Sequence, residues 1–427
     1  MANGNWLYNI AFIVFAILYL PFFLLRGKYH KDISMRFGVL PKEILRALSG
    51  KTTIWVHAVS VGETQAAKPL IEVLKLKFPD TPIVFSTVTK TGNDLAKKLF
   101  KDASIIYLPF DISFIVNKVL NEINPGFMVI LETEIWPNLI NCCSAKDIPV
   151  FVVNGRISRG SFGRYRLAKP LLKSVLQRIN LFCMQAEEDA ERIKYLGASP
   201  DKIRITGNMK FDATVEEPGP ADMSILKPKD GEKLLIAGST HKGEDAVILR
   251  AFKNLGMQFP NLKLIIAPRH IERVSEIEKI AEGLGFKPIR FSRLTADYRV
   301  LILDQMGILN NLYNLASMVF IGGSLVPKGG HNIIEPASFG KAVLVGRYMF
   351  NFKDIVEKFI DKNAIVQVEN HTLQSAIWDL LTNKDKLKAL GERAKSVVAE
   401  NKGANLRTVD YIGETLKRRE YVADIDS

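Results

Sequence analysis

Two doubly wound α/β domains behind an N-terminal membrane anchor are what this sequence predicts, on three observations. From residue 52 onward, short apolar runs rich in β-formers alternate with longer amphipathic segments, the pattern of parallel strands covered by helices on both faces. The segment 215–233, VEEPGPADMSILKPKDGEK, is rich in Pro, Gly and charge and divides those runs into two sets. Residues 6–25 form an uncharged, apolar stretch of about 20 residues.

The anchor comes first. A stretch of that length crosses a hydrocarbon core as one helix, with Asn9 near its start and Pro21 near its end. MANGN carries no Lys or Arg and PFFLLRGKYHK offers no A-x-A, so an uncleaved anchor over 1–25 is expected rather than a signal peptide. Arg26, Lys28, Lys31 and Arg36 follow, a basic flank that the positive-inside rule assigns to the cytoplasm and that is drawn to anionic lipid. A buried hairpin, or a monotopic helix dipping into one leaflet, is the alternative.

The first domain, 26–214, is built from strands expected at 52–59, 82–88, 103–109, 127–133, 149–155 and 179–185, with helices such as 64–78 and 189–196 between them. A linker at 215–232 leads to the second domain, 233–400, with strands at 233–240, 263–269, 299–304, 318–324, 342–346 and 364–368. The chain from 384 to 417 reads helical and basic, and 401–427 is assigned to a C-terminal helix and tail. Two such domains are expected to face each other across a cleft. Ligands of open parallel sheets bind beyond the carboxyl ends of the strands, so residues just after strands are the site candidates.

Composition narrows the classes. At 427 residues, 47% hydrophobic and 24% charged, the chain is folded and too long for one ordinary core. Its 58 Lys and Arg against 45 Asp and Glu give a net charge of +13, which favours nucleic acid, an acidic lipid surface or a phosphorylated substrate. Cys142, Cys143 and Cys183 form an odd set without a C-x-x-C, against a disulfide framework or structural zinc, and read as reduced core thiols.

Four segments carry chemistry. In W-V-H-A-V-S-V-G-E-T-Q-A-A-K-P-L a strand ends near His57, Gly62 permits a tight turn and Glu63 opens a helix. A carboxylate there is either a general base, kept ionised and therefore weakened by the helix N-terminus, or a first-turn residue satisfying the macrodipole. In L-E-T-E-I-W-P-N-L, Glu132 and Glu134 lie two apart at a strand end, where they share a face and crowd like charges, unless the strand has already ended. Lys210, Lys242 and Arg269 each follow an apolar run, either as surface charges or as fixed cations for a leaving phosphate. F-I-G-G-S-L-V-P-K-G-G-H-N-I-I-E-P is either a plain loop or a strand, glycine turn and helix that lets backbone N–H groups approach a phosphate while Glu335 grips ribose hydroxyls. This run is neither a G-x-G-x-x-G fingerprint nor a Walker loop, which weakens dehydrogenase and kinase readings. The one D-x-D, 424–426, lies in the tail, so no metal site is expected.

Together these segments resemble the 3-deoxy-D-manno-octulosonic acid (Kdo) transferases over nearly the whole chain. The order H-A-V-S-V-G-E, E-T-E-I-W-P-N, G-N-M-K-F-D, A-P-R-H, D-Q-M-G and G-G-S-L-V-P-K-G-G-H-N-I-I-E-P carries that resemblance. It implies a GT-B glycosyltransferase: an acceptor-binding first domain, a second domain binding CMP-Kdo, and inverting transfer of Kdo to the lipid A precursor at the cytoplasmic face of the inner membrane.

Residue by residue, the resemblance makes Glu63 the catalytic base. Glu132 and Lys210 match positions that stabilise the transition state. Pro268 with Arg269, Met306 with Gly307 and Ile308, and Asn332 with Ile333, Ile334 and Glu335 match the CMP-binding segments. Many members read M-G-E-L where this chain has M-G-I-L, so a carboxylate contact from position 308 is absent. The resemblance further implies no metal and no cofactor beyond the donor CMP-Kdo, with the lipid A precursor and anionic inner-membrane lipids as partners and no nucleic acid. Competing readings are another lipid-linked sugar transferase of this fold, such as a lipid A disaccharide synthase or a peptidoglycan UDP-N-acetylglucosamine transferase, a nucleotide-sugar epimerase, or a non-catalytic binder of anionic lipid or carbohydrate.

Overall fold

The computed structural model describes residues 31–212, 224–294 and 297–425. The anchor expected at 1–25 lies outside them, as does the first half of the linker. Among the described residues, no helix is long and apolar enough to cross a membrane. Of the basic flank, Arg36 is engaged within the protein: it donates to the Val88 carbonyl and lies 5.4 Å from the Tyr107 ring centroid.

The chain forms two compact units, Met1–Ala213 with Lys402–Ser427, and Thr214–Asn401. Unit 1 holds seven strands: β1 (Thr53–His57), β2 (Ile83–Thr87), β3 (Ser104–Tyr107), β4 (Pro125–Leu131), β5 (Val150–Gly155), β6 (Leu181–Met184) and β7 (Ile203–Ile205). They are parallel and ordered β3-β2-β1-β4-β5-β6-β7. Side chains alternate faces along each strand. Trp55, Met128 and Ile130 therefore enter one apolar cluster, and Ile54, Val56, Val129 and Leu131 the other. Helices cover both, so the strands read as continuous apolar runs. All three cysteines are buried and free, and burial raises their thiol pKa values.

Unit 2 repeats the plan with β8 (Lys233–Thr240), β9 (Leu262–Pro268), β10 (Ile289–Arg290), β11 (Val300–Ile302), β12 (Met318–Ile321), β13 (Ala342–Val345) and β14 (Val366–Gln367). The order is β10-β11-β9-β8-β12-β13-β14, again all parallel. Strands β7 and β10, absent from the sequence reading, are edge strands of three and two residues, too short for a periodicity to register.

The basic helical stretch read at 384–417 is two helices in different units. Lys384–Asn401 belongs to unit 2, and Gly403, at φ +89°, turns the chain into Ala404–Ile425 of unit 1. Asp212 fixes that return by accepting from Gly403 N at 2.5 Å and Asn405 N at 2.6 Å, and Val409 and Ile412 complete a core cluster of unit 1.

Candidate active site

Each sheet reverses its winding once, between β1 and β4 in unit 1 and between β8 and β12 in unit 2. Crevices beyond the carboxyl ends of strands at such reversals are where open α/β sheets bind ligands. Glu63 follows β1, Glu132 follows β4, the turn 239–244 follows β8 and the Gly-rich run follows β12, so the sequence candidates gather at both reversals.

In unit 1, Ser60 caps the helix Val61–Lys77. Its Oγ accepts from Glu63 N at 3.4 Å and donates to Glu63 Oε1 at 2.8 Å, while Val59 N donates to Glu63 Oε2 at 2.7 Å. The sequence is that of a capping box, S-x-x-E, with the carboxylate reaching the N–H of Val59, one residue before the cap, rather than that of Ser60. The cap reading of Glu63 thus holds, yet it does not exhaust the residue. Each carboxylate oxygen has two lone pairs, so acceptor capacity remains.

The expectation that the helix N-terminus keeps Glu63 a weak, ionised base is corrected. Glu63 is only 8% exposed. Burial raises its pKa, Glu132 and then Glu134 add to the rise, and the Val59 N–H and Ser60 hydroxyl oppose it, leaving it at about 7. Desolvation and like charges outweigh the dipole.

Glu132 and Glu134 do not share a strand face as expected, because β4 ends at Leu131. Glu132 takes a left-handed backbone, φ +57°, uncommon for a residue with a side chain and costly enough to need support. Glu132 N donates to Val153 O at 2.8 Å, and Thr133 Oγ1 donates to Arg156 O at 2.7 Å. The crowding itself is present: burial first and Glu132 second raise the pKa of Glu134. Lys210, in the turn Met209–Asp212, brings its ammonium to 3.9 Å from Glu132. The three carboxylates and one ammonium of unit 1 therefore form one electrostatic cluster.

In unit 2, Pro268 ends β9 and Arg269 follows it, Met306, Gly307 and Ile308 follow β11, and Asn332 through Glu335 follow β12, so all three predicted segments lie beyond the carboxyl ends of strands of one sheet. Gly307 has φ +88°, which the turn requires. Met306 is 63% exposed. Asn332 Nδ2 donates to Glu335 Oε1 at 3.0 Å and its Oδ1 accepts from Ile334 N at 3.0 Å. Burial raises the Glu335 pKa and the Asn332 amide opposes it. Lys242 stays exposed on its turn.

Sequence reasoning missed what holds this end of the sheet together. Glu244, wholly buried, accepts from His241 N at 2.8 Å and Gly323 N at 2.7 Å on Oε2, and from Ser324 N at 3.0 Å and Leu325 N at 2.9 Å on Oε1. One carboxylate thereby ties the turn after β8 to the Gly-rich run after β12. The approach is close: a Cβ on Gly322 would lie 2.4 Å from Ser239 O, and Ser239 itself has φ +56°. The position of the acid was legible, since H-K-G-E repeats the V-G-E of the first turn in placing an acid after glycine at a helix start, but its partners were not. Among the described residues no group of three His, Cys, Asp or Glu is arranged to hold a metal ion.

The sequence profile of the 3-deoxy-D-manno-octulosonic-acid transferases (kdotransferases) matches residues 31–213. A 3-deoxy-D-manno-octulosonic acid transferase of Haemophilus influenzae is 33% identical over 92% of this chain and 93% of its own length. The chain belongs to the Kdo transferase family. A second Kdo transferase, from Aquifex aeolicus, is 32% identical over 83% of this chain and 94% of its own. Among solved structures, a UDP-N-acetylglucosamine 2-epimerase from Neisseria meningitidis bound to UDP-GlcNAc superposes with a TM-score of 0.59 at 13% identity, over 86% of this chain and all of that one. That likeness shows the GT-B-type fold of two parallel-sheet units and nothing of the chemistry. As a Kdo transferase the chain is a glycosyltransferase.

Proposed function

We propose that this Kdo transferase moves Kdo from CMP-Kdo to the lipid A precursor, with Glu63 as the base. The observation that carries the reading is a carboxylate buried beside two others and poised near neutrality. A base whose pKa lies close to the working pH combines an available ionised form with strength to take a proton. Glu63 removes the proton of the acceptor hydroxyl as that oxygen bonds to the anomeric carbon. The bond from that carbon to the CMP phosphate breaks, CMP leaves with the electron pair, and attack from the opposite face inverts the centre. Lys210, near Glu132, offsets the negative charge of the unit 1 cluster.

In unit 2, Arg269, the turn Met306–Ile308 and Asn332 through Glu335 hold CMP, and the Gly-rich run presents backbone N–H groups to its phosphate. The leaving group carries a single phosphate, so cations and amides suffice and the reaction runs without a metal. Ile308 contributes by its backbone alone. The apolar stretch 6–25 anchors the chain in the inner membrane, and the net charge of +13 favours anionic lipid and the phosphorylated acceptor.

The test is incubation with a CMP-Kdo generating system and tetraacylated lipid A precursor, read by mass spectrometry for successive Kdo additions. Glu63→Ala is expected to bind CMP and to transfer nothing. An active Glu63→Ala enzyme removes the mechanism, and protection by UDP but not CMP in thermal melting favours a UDP-sugar enzyme instead.

A further inference from the structure

His241 and His331 form a second feature of unit 2 that the proposed chemistry does not use. His241 stands in the turn after β8 and His331 in the Gly-rich run, and their Nε2 atoms are 2.9 Å apart. The rings are parallel within 1° with centroids 5.1 Å apart. With the facing nitrogens so much closer than the centroids, the rings meet edge to edge, as an N–H···N hydrogen bond requires. One imidazole donates and the other accepts.

The pair is built, not incidental. Glu244 fixes His241 N, and Gly330 N donates to Gly323 O at 2.9 Å, fixing the loop that carries His331. Gly323, at φ +69°, leaves the room: a Cβ there would lie 3.2 Å from His331 Cδ2 and 3.3 Å from His241 Cδ2.

The groups facing the pair are basic or spent. His270 and Arg269 follow β9, with His270 5.8 Å from His241 ring to ring; Arg273 lies on the next turn and Lys328 in the Gly-rich run. Of the acids nearby, Glu244 is taken up by four backbone N–H groups and Asp245 by Arg273 and the Thr240 hydroxyl. Burial first and these basic neighbours second lower both imidazole pKa values, that of His331 to about 4, so the free pair is neutral at pH 7.

We infer that the His241–His331 pair is an anion seat that takes the phosphodiester of a nucleotide donor by gaining one proton from solvent. That ligand class rests on the proposed function; the seat itself rests on the geometry. In the free pair one Nε2 carries hydrogen and the other accepts it. An entering oxyanion supplies the missing negative charge, the second Nε2 is protonated, the N–H···N bond opens, and both N–H groups donate to the anion. The pair ends with a charge of +1, and one buffer acid has lost a proton.

Isothermal titration of the full chain with the methyl ester of CMP tests this, because a phosphodiester does not itself ionise near neutrality. At pH 7, in two buffers of different ionisation enthalpy, binding is expected to take up most of one proton and to weaken by up to about tenfold per pH unit as pH rises. His331→Gln, with His241→Gln as second variant, is expected to abolish the uptake and flatten that dependence. Binding with equal heats in both buffers overturns the seat, as does unchanged uptake in both variants. If the ester does not bind, the nucleotide reading falls. Sulfate with 15N-labelled histidine then decides the seat: conversion of one of the two imidazoles to the doubly protonated form sustains it, and unchanged nitrogen shifts overturn it.

Discussion

Glu63 of unit 1 and Glu244 of unit 2 occupy the same place in the same fold and are put to opposite uses. Each follows a glycine, opens the helix after the first strand of its sheet, and sits at the point where the sheet reverses. Both are buried. Glu63 receives one backbone N–H and one hydroxyl, and its other neighbours are the like charges of Glu132 and Glu134. Glu244 receives four backbone N–H groups, which fill its acceptor sites and leave no lone pair for a proton. What differs is the company, carboxylates against amides. One acid is held where a proton comes and goes, and the other is a fixed tie between two loops.

The largest expected effect breaks the comparison on the first side. Glu63→Gln keeps a side chain that serves a capping box, so the fold is retained, but it removes the base. Kdo transfer is expected to fall by about 10²–10⁴, the usual worth of general base catalysis, with CMP binding unchanged. Stability should move the other way. A carboxyl whose folded pKa of about 7 exceeds its unfolded value binds its proton more tightly when folded, so that contribution is lost as pH rises through about 7. Thermal melting at pH 8 should therefore find Glu63→Gln at least as stable as the parent, and a less stable variant would return Glu63 to a purely structural role.

Glu244→Gln breaks the other side. A Gln amide turns an NH₂ toward backbone donors that previously met an oxygen, leaving about two buried N–H groups unsatisfied. The expected loss is about 3 kcal/mol, read by chemical denaturation of unit 2. Nucleotide affinity should drop with it, because the Gly-rich run loses its tie, while the pH dependence set by Glu63 should not move.

How much of this was legible in the sequence follows from the same pair. The strands were legible because continuous apolar runs are what parallel sheets covered on both faces demand, and V-G-E was legible because one acid followed one apolar strand and a glycine. The role of Glu244 was not, since its partners 323–325 lie about 80 residues away and donate through backbone atoms that no side-chain motif encodes. The pKa of Glu63 was misjudged for a related reason. The helix N-terminus is local and readable, whereas Glu132 arrives from another strand end, in a left-handed backbone that a strand register does not anticipate.

A smaller effect sharpens the electrostatic half of the comparison. With Glu63 as the proposed base, transfer needs its ionised form, so kcat/KM should rise with pH through about 7. Glu132→Gln removes the larger of the two like charges, so the rising limb should shift to lower pH. A limb that stays in place would assign the raised pKa to burial and Glu134.

The smallest effect separates the cap from the base. Ser60→Ala deletes the hydroxyl that caps the helix Val61–Lys77 and donates to Glu63 Oε1. Losing a cap costs about 1 kcal/mol, measurable by denaturation of unit 1. The same hydroxyl favours the ionised carboxylate, so its loss should move the rising limb of the pH profile to higher pH, opposite to Glu132→Gln. If both substitutions shifted the limb in one direction, the titrating group would not be Glu63, on which the Ser60 bond and the Glu132 charge act with opposite signs. Opposed shifts from two residues on different strand ends would fix the working proton on the first of the two glutamates.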